Sequence, residues 1–79
     1  MRLTHARREA LEEIQKQGGK TTIEKFGAAR YPQLSPNRQV KEAHSMLWNL
    51  LHRGLVSGQG RGYIDTFELT EKAREALKS

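Results

Sequence analysis

Apolar residues recur at helical spacing in four stretches of the chain and alternate in another. Ala6, Ala10, Leu11 and Ile14 fall on one face. They predict a helix over 3–17 with Thr4 as its N-cap and Gly18-Gly19 as its stop. Ile23, Phe26 and Ala29 predict a short second helix over 23–29. Gly27 weakens that helix by roughly 1 kcal/mol relative to alanine. Tyr31 precedes Pro32, which disfavours helical geometry there, so 32–34 reads as a loop. Ser35-Pro36 then opens the strongest helical pattern, with serine at the N-cap and proline at the first helical position. This helix is expected over 35–53, with Gly54 ending it. Val40, Ala43, Leu47, Leu50 and Leu51 form its apolar stripe, and Asn37, Arg38, Lys41, Ser45, Trp48 and His52 project away from it.

Beyond Gly54 the period changes. Leu55–Gly58 and Gly62–Leu69 predict two strands flanking a loop with glycine at 58, 60 and 62 and Arg61 between the last two. In the second strand Tyr63, Asp65, Phe67 and Leu69 alternate with Ile64, Thr66 and Glu68, and Asp65 interrupts the otherwise apolar face. Thr70 caps a short last helix with Ala73, Ala76 and Leu77 on one side. Lys20-Thr21-Thr22 reads as a short strand or as a cap. No repeat, low-complexity stretch or linker divides the chain, so 1–79 is expected to be a single domain.

Two of these segments carry a family resemblance. Leu47-Trp48-Asn49-Leu50-Leu51-His52-Arg53-Gly54-Leu55-Val56 resembles the end of a recognition helix running into a first wing strand. Phe67-Glu68-Leu69-Thr70-Glu71-Lys72-Ala73-Arg74-Glu75-Ala76-Leu77 resembles the strand-to-helix junction of PadR-like and MarR-like regulators. Together they are similar to the winged helix-turn-helix family of bacterial and phage DNA-binding proteins. The resemblance implies an α+β fold: a three-helix winged helix-turn-helix, a two- or three-stranded antiparallel wing and a short C-terminal helix. Leu34-Ser35 lies about one helical turn farther from Gly54-Leu55-Val56 than the corresponding Leu-Ser turn of those regulators. That departure fits a third helix one turn longer at its N-terminal end.

Composition narrows the function. The chain has 79 residues, 35% of them hydrophobic, with a formal net charge of +5 and no cysteine. A domain this small supports one modest core and no thiolate metal site. The charge favours a polyanionic partner. Residues 55–69 hold one cation and two carboxylates, so any basic face must be assembled in three dimensions. No run of about 18 apolar residues suggests a membrane span. No apolar signal segment follows the N-terminus, and the expectation is a cytoplasmic, nucleoid-associated protein. Gly19-Lys20-Thr21 looks like the end of a phosphate-binding loop, but the earlier glycine it requires is Ile14, inside a helix. His5, His44 and His52 lack companions at metal-ligand spacing. No nucleophile, base and acid arrangement can be built, so neither an enzyme nor a cofactor is expected.

The binding residues follow from the chemistry of duplex DNA. The major groove admits one helix, led by its N-terminal residues, and arginine, lysine, asparagine and glutamine read base edges there. Asn37, Arg38, Gln39, Lys41 and Ser45 are the candidates on helix 35–53. Arg61 at the wing, 58–62, is a candidate for backbone or minor-groove contact, since flanking glycines permit close approach. Thr21, Thr22 and Lys25 are candidates for phosphates, through hydroxyls, helix N-terminal amides and an ammonium. Arg2, His5, Arg7 and Arg8 crowd the first turns of the first helix, where its dipole disfavours cations, and this suggests an external anion there. Trp48 is expected to pack in the core or between helices, near Phe26 or Tyr31; covering a dimer contact and bracing phosphates are the alternatives.

The leading expectation is sequence-specific double-stranded DNA binding by a small transcriptional regulator or a phage-type repressor or excision factor. One copy offers little surface, so a homodimer or cooperative array on DNA is anticipated. No aromatic cluster suggests a small-molecule pocket. The alternative is a protein–protein interaction module of a nucleic-acid-processing complex on the same fold, using Trp48, Tyr31 and Tyr63.

Overall fold

A computed structural model describes residues 2–78. Four helices surround a three-stranded antiparallel sheet, in the order α1 (His5–Lys16), β1 (Lys20–Thr22), α2 (Ile23–Arg30), α3 (Pro36–His52), β2 (Val56–Gln59), β3 (Thr66–Leu69) and α4 (Glu71–Leu77). The fold is α+β. Among the described residues no helix is long and apolar enough to cross a membrane.

The helix ends obey the local chemistry of the sequence. Thr4, Thr22 and Thr70 each accept a backbone N–H three residues ahead, which satisfies one of the amides left free at a helix start. Ser35 holds the N-cap of α3 without a side-chain bond, so Pro36 at the first position supplies the local start signal. Two helices end in the same way. Gly18 and Gly19 close α1 with bonds from Gly18 N–H to Gln15 and from Gly19 N–H to Ile14. Gly54 closes α3 with bonds from its N–H to Leu51 and from Leu55 N–H to Leu50. Both are Schellman caps, which need a left-handed residue after the helix; Gly18 has φ +90° and Gly54 φ +74°.

β3 is the central strand. It pairs with β1 through Lys20–Glu68, Thr21–Phe67 and Thr22–Thr66, and with β2 from Val56–Leu69 to Gln59–Thr66. Leu11, Ile14, Phe26, Leu47, Leu50, Leu55 and Phe67 are fully buried and join the helices to the sheet.

The packing departs from the expected faces at five points. Ala29 is exposed, and Gly27 takes the buried place on α2. A Cβ at Gly27 would sit 2.7 Å from the Gln39 carbonyl oxygen. The glycine that weakens α2 locally therefore allows α2 and α3 to meet backbone to backbone. Val40 leaves the expected stripe and is 40% exposed, while Met46 joins the core margin. Trp48 packs on Phe67 of β3, with centroids 6.4 Å apart, and not on Phe26 or Tyr31, which contact each other. β2 is shifted by one residue, to Val56–Gln59, and β3 begins at Thr66 and not at Gly62, because residues 60–65 form the turn. Within that turn the alternation reverses: Ile64 packs against the core and Tyr63 points outward.

The cations of α1 are also placed differently. Arg8 donates to the carbonyls of Ala76 and Leu77, and Arg7 Nε donates to Asn49 Oδ1 at 2.9 Å. Arg8 thus complements the C-terminal end of the α4 dipole. An external anion is not needed to explain these two side chains.

Candidate nucleic-acid interface

The sheet register brings two chain segments to one end of the molecule. Thr66 pairs with Gln59 on one side and with Thr22 on the other. The start of α2 and the turn 60–65 therefore lie at the same end of the sheet. α3 reaches that region from its outward face, where Trp48 rests on Phe67, one residue inside Thr66. The N-terminus of α2 and the wing turn thus share one end of the sheet, and the outer face of α3 meets the sheet through Trp48.

Along α3 the buried residues Ala43, Leu47 and Leu50 set the inward direction. Arg38, Lys41, Ser45, Trp48 and His52 follow at spacings of three and four on the opposite side, and all but Trp48 are exposed. Asn37 is exposed beside them. Trp48 lies between His44, tilted against it at 5.6 Å, and His52, edge-on at 6.1 Å. This imidazole–indole–imidazole ladder was hidden in plain spacing at 44, 48 and 52, and it holds both imidazoles on the solvent face.

The nine candidate residues divide clearly. Asn37, Arg38, Lys41, Ser45, Arg61 and Lys25 are exposed. Thr22 is half-buried and its hydroxyl caps α2 by accepting from Lys25 N–H at 3.2 Å. Thr21 is 2% exposed, and its hydroxyl donates to Gln17 Oε1 at 2.7 Å. It faces the core and is withdrawn from any outside contact. Gln39 Nε2 donates to the Tyr31 carbonyl at 3.0 Å, so Gln39 fastens the start of α3 to the end of α2. The wing turn occupies 60–65 and not 58–62, because Gly58 and Gln59 belong to β2.

The ion pairs among the described residues are His5–Glu9, Arg30–Glu9 and Lys78–Glu75. None involves Lys25, Arg38, Lys41 or Arg61. Glu24 at the start of α2, Glu42 on α3 and Asp65 in the wing turn are exposed carboxylates on the same elements, and Glu24 suits the positive end of the α2 dipole.

A groove of about 210 Å³ runs beside the outer face of α3, lined by Arg7, Tyr31, Glu42, Ser45 and Asn49 among others. Burial pushes the Tyr31 phenol above its usual range; Arg30 opposes the rise and Glu42 adds to it. Among the described residues there is no cluster of three metal-ligating side chains.

No protein-family model matches this chain, and no curated protein sequence does. The fold is similar to that of the organohalide-sensing transcriptional regulator RdhR, solved in its 2,4-dichlorophenol-bound form. The TM-score is 0.73 at 19% identity. The match covers 96% of this chain and 43% of that one. The likeness is one of fold, to less than half the length of that regulator.

Proposed function

We propose that this protein is a winged helix-turn-helix module that binds double-stranded DNA sequence-specifically, as a small transcriptional regulator or a phage-type repressor or excision factor. In this reading α3 lies in the major groove, the wing follows the backbone or minor groove, and the start of α2 meets a phosphate. The observation that carries it is the set of exposed, unpaired cations Lys25, Arg38, Lys41 and Arg61, carried by the start of α2, the outer face of α3 and the wing turn. A polyphosphate supplies anions to pair with these four cations. The fold likeness to a transcriptional regulator supports the same direction.

Roles follow by residue type. Arg38 and Lys41 face guanine edges or phosphates, and Asn37 and Ser45 supply shorter hydrogen bonds. Lys25 and the α2 amides hold a phosphate. Tight binding requires two copies on repeated half-sites.

Fluorescence anisotropy with a random-sequence duplex at two salt concentrations, with unlabelled RNA as competitor, tests this reading. Expected is duplex binding that falls steeply with salt and resists the RNA. Each phosphate contact contributes about 0.9 to the slope of log affinity against log salt. Absence of duplex binding at low salt would overturn the proposal.

A further inference from the structure

The wing turn presents a second side chain besides its arginine, and the backbone around it is braced. Ile64 folds back over β2, so that a Cβ at Gly58 would lie 2.7 Å from Ile64 Cγ2. Gly60 has φ +154°, and a Cβ there would collide with the Tyr63 carbonyl oxygen. Asp65 N–H donates to the Gln59 carbonyl at 3.0 Å, closing the turn. These contacts turn Ile64 inward and force Tyr63 outward, where it is 73% exposed. Neither Arg61 nor Tyr63 has a side-chain hydrogen bond, ion pair or ring contact among the described residues. A cation and an aromatic ring stand on either side of Gly62, which adds no side chain between them.

We infer that Tyr63 acts with Arg61 as a minor-groove reader that favours A·T over G·C pairs. The inference rests on the DNA reading above and adds a residue and a base preference to it. The minor groove is narrow, about 6 Å, and admits only a slender element. Its A·T stretches concentrate negative potential, which draws the guanidinium to the groove floor. Its walls are deoxyribose, an apolar surface that suits the face of a tyrosine ring. A G·C pair adds the guanine amino group to the floor and obstructs the guanidinium and the ring beside it. Solvent alone gives no reason to hold an aromatic ring outward on a turn fixed at three points.

The test uses the full chain and duplexes that share one central sequence, selected for binding from a random pool. The flank on the wing side is A·T, G·C or inosine·C. Inosine·C keeps the G·C major groove but lacks the minor-groove amino group. Expected is similar affinity for A·T and inosine·C flanks and about tenfold weaker binding to G·C. Tyr63→Ala should remove most of that preference and Tyr63→Phe should keep it, since the ring makes the contact. Both variants change an exposed side chain, and circular dichroism should show the native fold. Equal wild-type affinity for inosine·C and G·C flanks would overturn the inference, as would a full preference in Tyr63→Ala. In either case the DNA reading would survive. Failure to select any duplex would defeat both.

Discussion

The two ends of the small sheet are built to opposite rules. At one end Leu55, Leu69 and Ala73 are buried, Thr70 Oγ1 donates to the Gly54 carbonyl at 2.8 Å, and Lys72 Nζ donates to the Arg53 carbonyl at 2.9 Å. Leu69 N–H reaches Gly19, tying the end of α1 to β3. Nearly every polar group named there has a partner within the chain. At the other end Lys25, Arg38, Lys41, Arg61 and Tyr63 are exposed, and none of these side chains has an internal hydrogen bond or ion pair. The named polar side chains of the first end bond within the chain, and those of the second are left unpaired on the surface. Substitutions should separate accordingly, into those that change folding and those that change binding.

The largest effect belongs to the core behind both ends. Leu47→Ala and Leu50→Ala each remove a fully buried side chain. Each should cost about 2–5 kcal/mol, read by urea denaturation. Gly27→Ala sharpens the point, because helix propensity alone predicts a gain of roughly 1 kcal/mol. The backbone of Gln39 occupies the space a methyl group needs, so a net loss of about 1–3 kcal/mol is expected. A more stable Gly27→Ala variant would show that α2 and α3 do not meet this closely.

Arg38→Ala should weaken selected-duplex binding by about 1–3 kcal/mol and relax base choice if the side chain reads a base. Its effect on stability should stay within about 0.5 kcal/mol, as for other exposed substitutions. Thr70→Ala should do the reverse. It removes a cap and the bond to Gly54, costing about 0.5–2 kcal/mol of stability at unchanged affinity for correctly folded protein. The smallest effect is expected from Lys41→Ala, which should lower the salt slope by about 1 if Lys41 meets a phosphate. If Arg38→Ala and Lys41→Ala both leave binding intact, the contrast between the two ends has been misread.

Element order was legible because each signal is local. Threonine caps, Ser35-Pro36 and the glycine stops act within a few residues, and the structure places helix boundaries within two residues of the expected ones. The α3 stripe was legible through Ala43, Leu47 and Leu50, whose helical spacing fixes a common face. The candidate interface was legible only in part. Arg38, Lys41 and Arg61 are exposed as their positions suggested, but Thr21 and Gln39 have the same polar character and serve internal bonds. Nothing in residue type distinguishes a threonine facing solvent from one facing Gln17.

The sequence by itself determined where helices start and stop, which faces of α1 and α3 carry the core, and that the chain is basic. Tertiary structure decided what each glycine is for, because Gly27 and Gly58 matter through backbone and side chain that arrive from elsewhere. It also decided that Trp48 meets Phe67, that Ile64 and not Tyr63 turns inward, and that 22, 59 and 66 meet at one end of the sheet. Local propensity acts over one turn of helix or one strand pair. Which unpaired side chains end as neighbours depends on strand register and helix packing, and those are set by the whole core at once.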